Sequence, residues 1–496
     1  MIQPHEIENF SQVFRSACEQ FESMLCQLGG ETTAQMDHGQ VETLIFSMGM
    51  ELLRCLFQGY LDLRCKREEQ RESVLGSDSI LRTHCRRDCT RTLMSRFGEV
   101  VVKRRGYSAR GATSLFPLDG ELNLPADQYS EGLRYMAAKE VASQSFDDTV
   151  KSIREKTAGK IPKHQLEQVT AKVSVDFDAF YSQPDTPEQA SDLLVVTMDG
   201  KGIVMRQDDL RPATRKAAQE QKHEPGARLQ PGQKPNRKRM ATVAAVYSIA
   251  PEVRTPEQVM EHHSEKAPGP RADNKRVWAS VEKDSAEVIK AVFQEAARRD
   301  PHQDRHWVVL VDGQEHQLEL IMAHAEPYVA RTTLVLDFIH VLEYLWRAGH
   351  SFHSVGSKEA EEWVSERALE ILRGNAADVA AAMCQGPEFT NLSAIKRQVV
   401  KKCANYLQKY LPILRYDLFL SEGLPIATGV IEGACRHLIK DRMDITGARW
   451  RLKSAEAVLK IRSLRSSRDI DDYWAFHRKQ EYQRNHGCLY AEAQAA

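Results

Sequence analysis

The chain has 496 residues, 42% of them apolar and 28% charged, with a formal net charge of −1. At about 100 to 200 residues per domain this length predicts two to four units with a substantial core, which excludes a small stapled or disordered chain. Ten cysteines without a repeated spacing read as reduced thiols, and no signal-peptide core or run of about 18 apolar residues is seen, so a cytoplasmic, unanchored protein without a membrane partner is expected.

The balanced charge conceals two basic tracts. Residues 201–239 hold eleven Lys or Arg against four acids, and residues 432–468 hold ten against four. Such local asymmetry suits a protein that meets phosphate on particular faces.

Residues 1–80 predict an N-terminal helical hairpin for packing or self-association. Ile7, Phe10, Phe14, Ala17, Phe21, Leu25 and Leu28 recur at helical spacing up to Gly29-Gly30. Asp37 then caps a second helix, Gln40 is placed for the return bond, and Val41, Leu44, Ile45, Met48, Leu52 and Leu56 continue its face. Residues 81–129 read as a small β-rich segment around "GEVVVKRRGYS", with Gly98 and Gly106 at turns. His84, Cys85 and Cys89 precede it as possible zinc ligands, but no second ligand pair follows.

Residues 130–182 read as three helices. The middle one ends at Gly159, and the third carries Lys163, His164, Gln165 and Gln168 near its start. Helix, short turn and polar helix fit a DNA-binding helix-turn-helix, and equally a plain helical hairpin. "SQPDTPEQASD" reads as a linker.

From 192 to 355 strands and helices alternate, which predicts an α/β fold with a mixed sheet. "LLVVTMDG", "MATVAAVYSIA" and "HWVVLVDG" read as strands, and "TTLVLDFIHVLEYLW" as a strand running into a helix. A polar, basic, Pro/Gly-rich loop separates the first two strands. Residues 356–424 read as all-helical, 425–475 as returning to the core, and 476–496 as a tail.

The pattern of apolar run, Asp and Gly occurs twice, at Asp199 and at Asp312. If the two strands are neighbours, both carboxylates meet at one sheet edge, where one must protonate or both must share a cation. Hard oxygen ligands suit Mg²⁺ or Mn²⁺. Glu432, in the first turn of the helix that Thr428 or its neighbours cap, is favoured there by the helix dipole, and Gly429 and Gly433 allow close approach.

Two strand-end aspartates and a distant helical glutamate in an α/β frame mark a ribonuclease H-like mixed-sheet core with an all-helical insertion, preceded by a mainly helical N-terminal region. The sequence resembles the DDE transposases of bacterial insertion sequences, in particular the ISKra group. The match rests on "MDGKGIVMRQDDLRPATRKAA", "RVWASV", "VVLVDGQ", "LDFIHVLEYLW" and above all "GLPIATGVIEGACRHLIKDRMDITGARW". It covers roughly residues 90 to 475. It lacks the zinc-ribbon-like cysteines many relatives carry around the β-rich segment.

The resemblance implies a metal-binding triad of Asp199, Asp312 and Glu432, holding two Mg²⁺ or Mn²⁺ ions with Asp199 shared between them. It also implies a D-x-x-H element of Asp337 and His340, His340 orienting an attacking water or contacting the scissile phosphate. The implied reaction is hydrolysis at a transposon end followed by transfer of the 3′ hydroxyl to target DNA, by a homodimer or larger synaptic assembly. The same triad would serve a structure-specific nuclease, or persist in a domesticated DNA-binding protein. Lys201, Arg206, Arg211, Arg215, Lys216, Arg237, Lys238 and Arg449, with Lys163 and Gln165 of the third helix, are the expected DNA contacts. Arg436 is expected to pair with Glu432 across one helical turn.

Overall fold

A computed structural model describes residues 12–183, 193–220, 236–261, 270–427, 429–445 and 447–491. The expectations for Ile7 and Phe10, for most of the linker, for the middle of the basic loop and for Thr428 lie outside them. The chain divides into one unit of residues 1–182 with 469–496, and a second of residues 183–468.

In the first unit, α1 (Arg15–Leu28) and α2 (His38–Lys66) form the expected hairpin. Asp37 and Gln40 close a capping box: the Gln40 amide donates to Asp37 Oδ1 at 2.9 Å, and the Asp37 amide to Gln40 Oε1 at 3.0 Å. Two orphan donors of a 29-residue helix are thereby satisfied. Strands β1 (His84–Ser95) and β2 (Gly98–Ser108) then pair antiparallel through a tight turn, with Gly98 at a φ of +115°. Cys85 packs beside the Val74, Tyr107 and Leu115 cluster, and Cys89 lies beyond a bulge. Among the described residues no group of three or more His, Cys, Asp or Glu could hold a metal ion, so zinc at His84, Cys85 and Cys89 gains no support.

Helices α3 (Glu131–Val141), α4 (Phe146–Lys156) and α5 (Lys163–Val173) follow, the first two capped by Ser130 and Ser145. Gly159 lies between α4 and α5, where a Cβ would meet the Ser95 carbonyl at 2.6 Å. The expected tail from residue 476 is corrected: Ile470–Asn485 is one helix of this same unit, crossing the assumed boundary. Polar bonds hold it. Arg134, wholly buried, makes two bonds to Glu481 at 2.6 and 2.7 Å, and Asp176 receives both His477 and Arg484.

The second unit is built on a five-stranded sheet of β3 (Leu193–Val204), β4 (Lys238–Ile249), β5 (Asp273–Ser280), β6 (Trp307–Val311) and β7 (Thr332–Leu336). The order is β5-β4-β3-β6-β7. The first three strands form an antiparallel meander, and β6 and β7 run parallel to β3. Residues 193–198 of central β3 are all buried, which is why that strand reads as a continuous apolar run instead of an alternation. Each such Val or Leu contributes about 1.5–3 kcal/mol by burial.

Helix α6 (Ser285–Arg299) packs on β4; α7 (Glu315–Ala325) and α8 (Phe338–Phe352) follow β6 and β7. The segment from α9 (Lys358–Leu372) through α10 (Ala394–Lys409) to Ser421 is helical throughout, with no strand among its residues. The chain then returns through α11 (Gly429–Ala434), continued by a π-helical stretch Cys435–Lys440, to α12 (Leu452–Ser467) against β5. Buried Glu456 of α12 accepts the Ser280 hydroxyl and the amides of Val281 and Glu282, so its charge closes the end of β5. No described helix is long and apolar enough to cross a membrane.

Candidate active site

Register places the carboxylates. β3 and β6 pair in parallel up to Thr197 opposite Leu310, an offset of 310 − 197 = 113 residues. Carried two residues on, the same offset sets Asp199 opposite Asp312, where β6 has just ended. β6 and β7 pair up to Val311 opposite Leu336, an offset of 25, which sets Asp337 opposite Asp312. Three neighbouring parallel strands thus bring an aspartate each to one edge of the sheet.

The partly buried Asp199 carboxylate accepts the Gly200 amide on Oδ1 and the buried Cys435 thiol on Oδ2, at 3.2 Å from the sulfur. Cys435 opens the π-helical stretch, and π-bulges concentrate at functional sites because they re-aim side chains. Its role carried no sequence signal. Burial and the neighbouring Asp199 charge push its thiol well up, so it stays protonated and can donate.

Asp312 accepts the Gln314 amide at 2.8 Å. Burial raises its carboxyl above the usual range, with the Asp199 charge adding and His340 opposing. Its turn is gripped by α10: the Tyr406 hydroxyl donates to the Asp312 carbonyl at 3.1 Å and Tyr410 to that of Gly313. Gly313 has a φ of +82°, and a Cβ there would lie 3.1 Å from both rings. Tyr406 stacks on Tyr344 of α8 at 3.9 Å between centroids, so the helical segment fixes the second carboxylate's backbone. The double change Tyr406→Phe with Tyr410→Phe should weaken Mn²⁺ binding about 10- to 100-fold, as loss of outer hydrogen bonds does around metal ligands. Titration calorimetry reads this directly, and unchanged affinity would remove the tyrosines from the site.

Asp337 is 1% exposed and caps α8, accepting the Ile339 amide at 3.1 Å. His340 Nδ1 lies 2.9 Å from its other oxygen. That bond, with the charges of Asp337, Asp312 and Glu343, raises the imidazole from 6.5 to about 9 despite its burial. The folded value exceeds the unfolded one, so the pair stabilises fully below about pH 6.5 and loses that contribution as pH rises through about 9. In metal-free protein the His340 ring should titrate near 9 by NMR, and Asp337→Asn should drop it below 7; an unmoved midpoint would dismiss the pair as the cause.

Glu432 is exposed on α11. Its carboxyl is raised, first by the partial desolvation of this exposed position and then by the charges of Asp337, Glu343 and Asp199, against His340. The four acids and His340 therefore share one electrostatic field. The expected Arg436–Glu432 pair is corrected. The π-helical stretch shifts the spacing, and Arg436 and His437 instead approach Asp441, at 3.8 and 3.2 Å.

The basic residues separate into groups. Arg206, Arg237 and Arg449 line one groove of about 1130 Å³ with Gln207 and Asn236. Lys201 is exposed two residues beyond Asp199 on the same strand face. Lys238 pairs with Asp444 at 3.3 Å and Lys216 with Glu220 at 3.9 Å. Arg211 and Arg215 direct their guanidinium groups at the carbonyls of Lys283 and of Asp208 and Leu210, and so hold their own chain. Trp450 is buried, donating to the Met443 carbonyl under Arg442. In the first unit Lys163 pairs with Asp147 at 2.6 Å and Gln165 accepts from Gln128 at 3.1 Å.

Hard carboxylate oxygens, two of them with raised proton affinity, are the donor chemistry that Mg²⁺ or Mn²⁺ takes, while among the described residues no three of them form a group that could hold an ion. No protein-family model matches the chain, and no curated protein does.

Proposed function

We propose that this chain is a DDE transposase, cutting phosphodiesters at transposon ends and joining the freed 3′ hydroxyl to target DNA. The observation that carries the reading is Asp199 and Asp312 in register at the ends of neighbouring parallel strands, with Glu432 in the same electrostatic field. The sheet order β5-β4-β3-β6-β7 and the helical segment before α11 support a ribonuclease H-like core with a helical insertion.

Asp199, Asp312 and Glu432 are the residues that would hold two divalent ions, which when bound supply charge stabilisation to the attacking and leaving oxygens. His340, with a pKa of about 9, is a cation at neutral pH. In the metal-free protein it is thus a hydrogen-bond donor of the kind that can bind the scissile phosphate. Asp337 orients its ring. Arg206, Arg237 and Arg449 hold the DNA backbone in their groove, and Lys201 neutralises a phosphate beside Asp199. Each lost phosphate contact should flatten the salt dependence of DNA binding by about one unit of slope.

The test uses purified protein, Mg²⁺ or Mn²⁺ and a labelled duplex of the DNA that flanks the gene. Cleavage at the end followed by joining to a target supports the reading. Cleavage that never leads to joining makes the protein a nuclease, and binding without cleavage under either metal makes it a DNA-binding protein.

A further inference from the structure

The longest helix of the N-terminal unit leaves one side bare. Along α2, Ile45, Phe46, Leu53, Leu56 and Tyr60 are each 39–44% exposed. At 100° per residue they fall with Gly49 inside one arc of about 100°, running some 22 Å along the axis. No charged residue interrupts this arc between Ile45 and Tyr60. The opposite side, through Cys55, Gly59 and Leu61, is the buried one. α1 adds Phe21 and Leu25, one turn apart and half exposed.

We propose that this face is the interface with a second copy of the same chain, α2 packing antiparallel on α2 about a two-fold axis. Three features select that occupant. The stripe is close to palindromic: in an antiparallel pairing Ile45 meets Tyr60 and Gly49 meets Leu56, each twice, as an isologous contact requires. Glu42 ends the arc on one side and the exposed Arg67 on the other, so the same pairing brings opposite charges towards each other at both ends. The exposed apolar side chains of both helices offer on the order of 500–600 Å² per copy, and a polar rim brings this to the roughly 800 Å² that a stable partner needs.

The experiment is light scattering on the full chain without DNA, at micromolar concentration, so it does not depend on the catalytic reading. The expected mass is twice 56.3 kDa, falling to 56.3 kDa for Leu53→Glu with an unchanged circular dichroism spectrum. Val355→Glu, at an 82%-exposed position in the second unit, should stay dimeric. Leu53→Cys should cross-link as a dimer on oxidation beyond the wild-type level. A monomeric wild type, or a dimer that Leu53→Glu leaves intact, overturns the proposal. A dimer that cuts no DNA would fail the functional reading alone, and a monomer that joins DNA ends would fail this one alone.

Discussion

Asp312→Asn should abolish DNA cleavage and yet make the metal-free protein more stable. The loss of activity is expected to be at least about 10³-fold, several kcal/mol of stabilisation at the reacting phosphate. The gain in stability follows from sign. Burial and the Asp199 charge raise the Asp312 carboxyl, so in the folded state its ionised form is disfavoured relative to the unfolded chain. Stability is therefore complete below the ordinary carboxylate range and falls as pH rises through the raised value. Asparagine removes the charge, and its oxygen can still accept the Gln314 amide. At pH 8 the variant should gain about 1 kcal/mol, the usual scale for relieving a functional site, and near pH 3 nothing. Saturating Mg²⁺ or Mn²⁺ should reverse the order, since ligand at 100 times its Kd stabilises the wild type by about 2.7 kcal/mol. Thermal melts at two pH values, with and without metal, check both halves. A variant that melts below wild type in metal-free buffer at pH 8 would show that the carboxylate is no source of strain.

Glu481→Ala should be the most damaging substitution to stability. Arg134 has no exposed side-chain surface, and Glu481 takes two of its donors, with Asp127 at 3.9 Å as the other acid within ion-pair distance among the described residues. Removing the carboxylate leaves a buried guanidinium uncompensated, at a cost of about 3–5 kcal/mol. Replacing both partners, Arg134→Met with Glu481→Leu, should restore most of that, because no charge is then left behind. Urea unfolding of the single and double variants decides it. If the single change costs under about 1 kcal/mol, water or Asp127 serves Arg134 as well as Glu481 does.

Much of the second unit is legible in sequence because its signals are local. Val195 to Met198 and Val308 to Val311 read as strands since both faces of a central strand are covered, and the Asp-Gly that ends each run marks where the covering stops. Asp37 and Gln40 declare a helix start through one hydrogen-bonded box. The run from β7 into α8 is likewise visible at Asp337, an aspartate that stops a strand and caps a helix.

Tertiary structure decides the rest. The helix Ile470–Asn485 escapes a periodicity reading because its buried side, Ile470, Tyr473, Trp474 and His477, covers only two turns, and buried charges paired with residues some 300 positions away hold the rest. Arg436 is misassigned because a π-helical stretch breaks the four-residue spacing on which the pairing with Glu432 depended. The bond from Cys435 to Asp199 and the grip of Tyr406 and Tyr410 on the Asp312 turn join segments 94 to 236 residues apart. Their residue types would pack equally well elsewhere. What the sequence by itself determines is which acids end strands and which tracts are basic; which acids become neighbours follows from strand order and register, long-range pairings that no window of sequence contains.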